Sequence, residues 1–530
     1  MSLKTIASIS LKKVIILAIA LGVFLRFYNL DRQVYWYDET MTSLRISGYT
    51  KSELIEQVYA GKPIAVETFR NTYQYPNPSR DLKDTIDALA RHPEHSPLYY
   101  LMARFWLQVF EPSVSTIRSL SVWISLLVLP ATYWLAKELF ANPIAPGLSV
   151  AIVALSPFHI LYGKEAREYS LWTLAILLSC AALLKAVRVS KVDRSDGNVN
   201  TNFILSFISS WGIYGLTVAL GLYAHPFSAL VSLGHGIYIS ILTRWKQVKI
   251  LLAYFISSLF GIFLFGPWLQ IVIANFSNFV DNTISTTNPR DNLHLIWGLN
   301  LSRIFFDVNQ GTSLLNPLLY LILGLVGYSI YWLCRNARSQ TWLFILLLMG
   351  VTGLALIGPD ILVGGRRSNN LRYAIPCVLG IQLAIAYLFA TKLTALPHQI
   401  SRWKFWKLGF FSLLFLGLSS GIVSSQLEVW WHKSYAKSRY NPAIARIINQ
   451  TDPSIVLTDE LPEKLLSLSH LLKPDVRLVF SRGGTVPDIP TEFSQVYLYR
   501  PSEVWKQRIE ETSGGKIERA YKGWLWQLER

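Results

Sequence analysis

Long near-uncharged stretches alternate with short polar connections through most of the chain. Runs at 13–30, 119–136, 144–162, 168–187, 203–223, 226–243, 250–272, 314–334, 341–358, 373–391 and 408–426 each have the length of a bilayer-crossing helix, since about twenty apolar residues cover roughly 30 Å of hydrocarbon. The pattern therefore predicts about eleven transmembrane helices. A twelfth apolar stretch at 97–111 is short, follows a proline and carries Arg104, which suits a juxtamembrane helix lying at the interface better than a span. After residue 426 the texture changes. PSIVLTDE, VRLVF, QVYLYR and GWLWQLE read as strands, EKLLSLSHLL and SEVWKQRIEE as helices, and prolines punctuate the boundaries, so 427–530 is expected to form a small soluble α/β domain. The expected organisation is a transmembrane module over 1–426, with a first loop at 31–118 that carries juxtamembrane helices, followed by that domain. The segment 193–202 is the one markedly polar inner connection.

Composition agrees with the pattern: 52% of residues are hydrophobic, 16% are charged and the mean hydropathy is +0.32, too apolar for a water-soluble enzyme of 530 residues. Fifty Lys and Arg against 33 Asp and Glu give a net charge of +17. In a soluble protein that surplus would suggest nucleic acid as a partner. Here its position decides. With 97–111 flat and eleven spans, one side of the membrane holds 17 basic residues, among them Lys12, Lys13, Lys185, Arg188, Lys191, Arg194, Arg338 and Lys404, while the short loops of the other side hold seven. The positive-inside rule then puts the N-terminus in the cytoplasm and sends loop 31–118 and the tail to the outer, in a bacterium periplasmic, side of a multi-pass cell membrane protein. No small-residue cleavage site follows the first run and Arg26 interrupts it, so it is read as a retained helix. Cys180, Cys334 and Cys377 all lie in apolar runs and offer no disulfide framework or metal spacing.

Four polar clusters fall on the outer side. YWYDET at 35–40 sets Asp38 beside Glu39; on a helix the two side chains diverge by about 100°, so they do not share one role. A helix N-terminus with acidic first-turn residues accounts for them equally well. RHPEHSPLYY at 91–100 carries His92, Glu94 and His95, which resemble metal ligands but lack a defined third one and read more simply as surface residues. FHILYGKEAREYS at 158–170 crowds Lys164, Glu165, Arg167 and Glu168 where the chain barely leaves the membrane. GGRRSNNLRYAIP at 364–376 brings Arg366, Arg367 and Arg372 to the outer end of a span, where arginine grips a phosphate bidentately or snorkels to headgroups. Together these describe a carboxylate acting as general base on a hydroxyl and arginines stabilising a lipid-linked phosphate leaving group. His225, in an outer turn before Pro226, is left out of the catalytic set, and 273–313, with Asp281, Asn282, Asp291 and Asn292, has the length of a covering loop.

The order of these motifs resembles the membrane-embedded GT-C-type glycosyltransferases of the protein-mannosyltransferase-like superfamily, which includes the aminoarabinose transferases. The resemblance covers roughly 13–391 and rests on YWYDET, HPEHSPLYYLMARFW, LRYAIP and, most specifically, SPFHILYGKEAREYS. It implies transfer of a hexose or pentose from a polyprenyl-phosphate donor to an acceptor protein, lipid or glycan on the outer face, inverting the anomeric carbon, with or without a divalent cation. It further implies that Asp38 is the catalytic base with Glu39 in support, and that Glu165, Arg167, Arg366, Arg367, Arg372 and Tyr373 surround the donor phosphate. The chain departs from the family by inserting Glu94, His95 and Ser96 where a tighter H-P-P is usual, which leaves His92 and His95 without an assigned role. A secondary transporter or lipid flippase is the alternative; it predicts broken helices at midplane and repeated halves, neither of which the sequence displays. A nucleotide-driven pump is disfavoured, because no phosphate-binding loop of the Walker type is present.

Overall fold

The computed structural model describes residues 3–59, 62–192, 201–311, 313–394, 400–433, 437–450 and 453–529. Most of the polar connection 193–202, with Arg194, lies outside the described residues. Two compact units divide the chain: Met1–Leu30, His92–Tyr99 and Arg118–Ser425 form one, and Asp31–Arg91, Tyr100–Ile117 and Gln426–Arg530 form the other.

The first unit is helical. Among the described residues, eight helices are long and apolar enough to cross a membrane, and nine if the pair Ala145–Leu155 and Pro157–Gly163, bent by 58° at its break, is counted as one span. Leu3–Phe27 and the 16-residue Ser228–Thr243 occupy the other two stretches read as spans. Tyr169–Lys191 and Leu371–Thr394 are the most enclosed, whereas Val248–Ala274, Pro317–Asn336 and Ser339–Leu362 turn side chains such as Phe263, Leu321 and Leu354 outward, as expected where lipid is the solvent. Helices 201–224 and 248–274 meet at Gly215 and Gly261, where a Cβ on either glycine would run into backbone of the other helix, the small-residue contact that lets membrane helices pack closely.

The 58° bend has a local cause. In a continuous helix the Val153 carbonyl would accept from residue 157, but Pro157 has no N–H, and Ser156 turns extended, with ψ of 123°. At the end of 145–155 the Val153 carbonyl accepts the Ser156 N–H at 3.4 Å, and the buried Arg26 guanidinium donates to Ala154 O (2.7 Å), Val153 O (3.2 Å) and its own Gly22 O (2.7 Å). A cation at a helix C-terminus also matches the helix dipole. Gly22 permits this close approach, because a Cβ there would overlap the Ala154 carbonyl. Arg26 therefore stays within a continuous first helix and caps its neighbour.

The second unit is built on a six-stranded sheet. Its strands are β1 (Ile64–Ala65), β2 (Ser454–Thr458), β3 (Arg477–Phe480), β4 (Gln495–Tyr499), β5 (Lys516–Tyr521) and β6 (Leu525–Glu529), in the order β1-β3-β2-β4-β6-β5. β2 runs parallel to both β3 and β4, and the remaining pairs are antiparallel. Every residue of β2 is buried, the mark of a parallel strand covered on both faces. One face packs Val456, Leu478 and Tyr499 against helices Tyr37–Ile46, Val66–Tyr73 and Asn441–Ile448; the other packs Ile455, Leu457 and Val479 against Trp505 and Ile509 of helix 503–513. The loop after the first helix thus supplies an edge strand and part of the core: Ile64 pairs with Leu478, and Val66 and Phe69 are fully buried. Helix Leu98–Val109 has 12 residues, about 18 Å and too short to span; its Arg104 is buried and donates to Ile46 O, Thr85 Oγ and Arg80 O at 2.6–2.9 Å.

Candidate functional site

In the helical unit, the turn between Gly163 and Tyr169 holds the most concentrated buried charge. Glu165 is 0%, Glu168 2% and Arg167 4% exposed; charges so placed are tolerated only when paired. Lys164 is used structurally, its ammonium donating to Tyr28 O (2.7 Å) and Ser425 Oγ (2.9 Å), and so ties the turn to the ends of two helices. Arg167 Nη2 lies 3.0 Å from Glu168 Oε1, and His95 Nδ1 lies 3.5 Å from the same oxygen. Burial alone would raise the Glu168 carboxyl, but Arg167 and then His95 outweigh it and hold the group well below the usual carboxylate range.

His95 also reaches toward Glu94 (3.8 Å), which His92 contacts at 3.2 Å and the Asn282 amide at 3.0 Å. Burial pushes Glu94 up, yet these partners bring it down to about 2. His92, Glu94 and His95 are therefore joined to the Glu168 group rather than scattered at the surface, and Asn282 of the 273–313 segment joins them.

Aromatic rings form the next layer. Arg167 and Arg372 lie over the Tyr169 ring at 5.7 and 5.5 Å, and Arg372 also faces Tyr373 at 5.4 Å. His225 stacks on Trp172 at 4.1 Å and 15° and approaches Tyr373 at 6.3 Å. Phe227 N–H donates to His225 Nδ1 (3.2 Å), which fixes a neutral imidazole with its proton on Nε2. Burial lowers this imidazole to about 3, against the opposing pull of Glu168. Tyr162 lies within electrostatic reach of Arg372, Glu165, Arg303 and Asp307. The buried Arg303 is braced by Asn300 Oδ1 and the carbonyls of Gln310 and Gly311 at 3.0–3.1 Å.

The three late arginines separate. Arg372 joins the Tyr169 group. Arg366 donates through its backbone to Thr286 O and through Nε to Ser285 O, while Arg367 pairs with Asp360 (3.0 Å), whose second oxygen accepts from Ser368 N and Oγ. The contacts of these two build the glycine-led turn at 364–368. His95, Glu168, His225, Arg303 and Asp307 were not among the residues assigned from sequence. The first three were visible as polar residues at loop ends; nothing in the sequence ties Arg303 or Asp307 to them.

Asp38 and Glu39 belong to the other unit, at the start of helix Tyr37–Ile46, and they diverge as helical geometry requires. Glu39 is fully buried. Its Oε2 accepts from the Trp36 backbone N–H (3.4 Å), closing the helix N-terminus, and sits 3.3 Å from the equally buried Lys433 ammonium. Asp38 is half-exposed, within electrostatic reach of Tyr37 and Lys437. The Lys437 ammonium lies 3.4 Å from the Tyr37 ring centre. Burial, then Glu463 and Asp38, raise the Tyr37 phenol to about 12, and burial lowers Lys437 below the usual lysine range. Glu463 is itself paired with Lys51 at 2.6 Å. Asp38 keeps partial exposure, whereas Glu39 is committed to the helix end and Lys433. Among the described residues, no three His, Cys, Asp or Glu side chains converge as cation ligands.

No protein-family model matches the sequence, and no curated protein sequence does. Solved structures do match. The apo form of ArnT from Cupriavidus metallidurans superposes with a TM-score of 0.55 at 11% identity, covering 98% of both chains. The same enzyme bound to undecaprenyl phosphate gives 0.55 at 14% identity, covering 97% of both. The oligosaccharyltransferase of Archaeoglobus fulgidus gives 0.51 at 12% identity, covering 89% of this chain and 64% of its own. The molecule is a polytopic helical membrane protein. Its fold, spans and α/β unit together, is the GT-C fold of these membrane glycosyltransferases.

Proposed function

We propose that the chain is an integral-membrane glycosyltransferase that moves a sugar from a polyprenyl-phosphate donor to an acceptor hydroxyl on the outer face of the membrane. The observation that carries this reading is the buried Glu165–Arg167–Glu168 turn, with Arg372 sharing the Tyr169 ring, in a fold also found in an ArnT structure bound to undecaprenyl phosphate. Arginine guanidinia set in a largely desolvated, preorganised environment stabilise developing phosphate charge far better than water does.

Arg167 and Arg372 are assigned to the donor phosphate, with Glu165 and Tyr373 beside them; Glu168 and His95 orient Arg167. Arg366 and Arg367 support the loop that leads into Arg372. Asp38 is the base. In a single displacement the acceptor oxygen bonds to the anomeric carbon, its proton passes to Asp38, and the bond from that carbon to the phosphate oxygen breaks with its electron pair, releasing polyprenyl phosphate and inverting the configuration. Glu39 holds the start of the helix that carries Asp38. Charge compensation at the phosphate is assigned to the arginines, with or without a divalent cation. The acceptor is a protein, lipid or glycan hydroxyl. The excess of basic residues on one side supports a cytoplasmic N-terminus, with loop 31–118 and the tail outside.

Purified protein incubated with radiolabelled polyprenyl-phosphate sugars and a panel of acceptors tests the proposal. Transfer by the wild type, lost in Asp38→Asn and weakened in Arg372→Ala through a raised donor KM, is the expected outcome. No transfer from any donor, or full transfer by Asp38→Asn, would overturn the respective assignment.

A further inference from the structure

A roomy cavity lies far from the charged turn. It has a volume of about 370 Å³ and is lined by Glu138, Leu184, Arg188, Lys191, Tyr238 and Arg338 together with neighbouring residues, all within the helical unit. Helix Tyr169–Val192 gives its depth. Tyr169 sits in the arginine group, and Arg188 is about 28 Å further along the axis at 1.5 Å per residue. That is a hydrocarbon thickness, so the cavity opens at the opposite membrane interface.

Its chemistry is two-sided. Leu184, Val187, Leu139 and the buried Tyr238 form an apolar wall between helices, while the rim is basic. Arg188 is held by Glu138 through two hydrogen bonds, Nε to Oε2 (2.9 Å) and Nη2 to Oε1 (3.0 Å), so this pair is neutral overall. Lys191 and Arg338 remain. Both are exposed, and among the described residues neither has an acidic partner. Two cations without an acidic partner among the described residues, set over an apolar crevice at headgroup depth, match an amphiphile with an anionic head. A soluble anion would satisfy the rim and leave the crevice wet; a zwitterionic lipid would bring its own cation to the lysine and arginine.

We propose that this cavity binds an anionic diacyl phospholipid, its phosphate between Lys191 and Arg338 and the upper part of one acyl chain along Leu184 and Val187. The proposal rests on the bundle crossing a membrane and is independent of the glycosyltransferase reading.

The full-length protein, released into detergent, is titrated with phosphatidylglycerol and the bound lipid is counted by native mass spectrometry. Wild type is expected to retain a phosphatidylglycerol that Lys191→Ala/Arg338→Ala binds roughly thirtyfold more weakly, two juxtamembrane cations' worth. The charge-conserving Lys191→Arg/Arg338→Lys is expected to bind like wild type, and Leu184→Trp, which fills the crevice, to lose the lipid with the cations intact. Phosphatidylcholine is not expected to occupy the site. Equal phosphatidylglycerol binding by wild type and Lys191→Ala/Arg338→Ala, at matched thermal stability, would overturn the proposal. So would displacement of the lipid by inorganic phosphate at the same concentration, which would identify a free-anion site.

Discussion

Neutralising Glu168 while leaving Arg167 in place isolates the central buried pair. In Glu168→Gln the guanidinium stays 4% exposed and loses the carboxylate 3.0 Å away. Removing one partner of a buried ion pair costs about 3–5 kcal/mol, because the other charge is left uncompensated. The amide oxygen still accepts a hydrogen bond, so the lower end, about 3 kcal/mol, is expected. Arg167→Met costs less, about 1.5–3 kcal/mol, since Glu168 keeps His95 at 3.5 Å. The double variant removes both charges of the pair and is expected to be more stable than the sum of the singles implies, by about 2–3 kcal/mol of coupling. Unfolding of the four proteins in one detergent, followed by tryptophan fluorescence, measures the cycle; donor transfer by the same samples separates fold from chemistry. Strict additivity of the two single losses would refute the pairing. A double variant that transfers sugar at the wild-type rate would remove Arg167 from the donor phosphate.

His225 supplies a pH signature. Its folded-state value near 3 lies below the ordinary histidine value of about 6.5, so its stabilisation is fully present above pH 6.5 and declines as pH falls towards the folded value. Between pH 6 and 4 stability is expected to fall with a contribution approaching 1.4 kcal/mol per unit, under the field of Glu168, His95, Arg167 and Arg372, and His225→Gln should flatten the unfolding profile by that amount; an unchanged slope argues against a buried neutral imidazole. Arg367→Ala is expected to loosen the 364–368 turn and lower thermal stability with a modest effect on donor KM, whereas Arg372→Ala raises donor KM at least tenfold, and the reverse order would exchange their roles. Glu39→Gln removes the carboxylate 3.3 Å from the buried Lys433 and is expected to cost about 3–5 kcal/mol, measured by unfolding, with Glu39→Gln/Lys433→Met recovering part of it. Arg26→Leu removes the Ala154 carbonyl's donor, while Val153 O keeps the Ser156 N–H, and should cost about 1–3 kcal/mol; unaltered stability would mean that the bend is capped by other groups.

The membrane helices were legible because apolar runs of span length carry their own signal. Even the bent pair 145–155 and 157–163 lies within the single stretch 144–162, since hydropathy ignores a change of direction that Pro157 imposes. In the tail, β2, β3 and β4 follow short β-branched and aromatic runs, β6 follows alternation and helix 503–513 follows its Ser502 cap, whereas EKLLSLSHLL forms only a 3₁₀ turn at 462–464 and a four-residue helix at 466–469. Its leucines meet a core shaped by tertiary packing rather than a full amphipathic helix. β5 was missed because KIERAY is mostly polar at an exposed sheet edge, where a charged strand resists unwanted pairing. The two-residue β1 has no periodicity to read. At the candidate site, Glu165, Arg167 and Arg372 stand out as charges beside apolar runs. The part played by His95 and Arg303 depends on contacts between distant segments, and the difference between Arg367 and Arg372 depends on Asp360, buried near the end of the preceding helix.

The pairing of β1 with β3 sets a timetable for biogenesis. Ile64 leaves the ribosome about 400 residues before Leu478, its partner across the sheet. At 5–20 residues per second this is an interval of roughly 20–80 s. During that interval Val66, Phe69 and Tyr73 have been made, but the strands that bury them have not. Until the tail arrives the apolar face of the first loop is without its cover, and a chain stopped before residue 454 is expected to expose a ready-made aggregation surface.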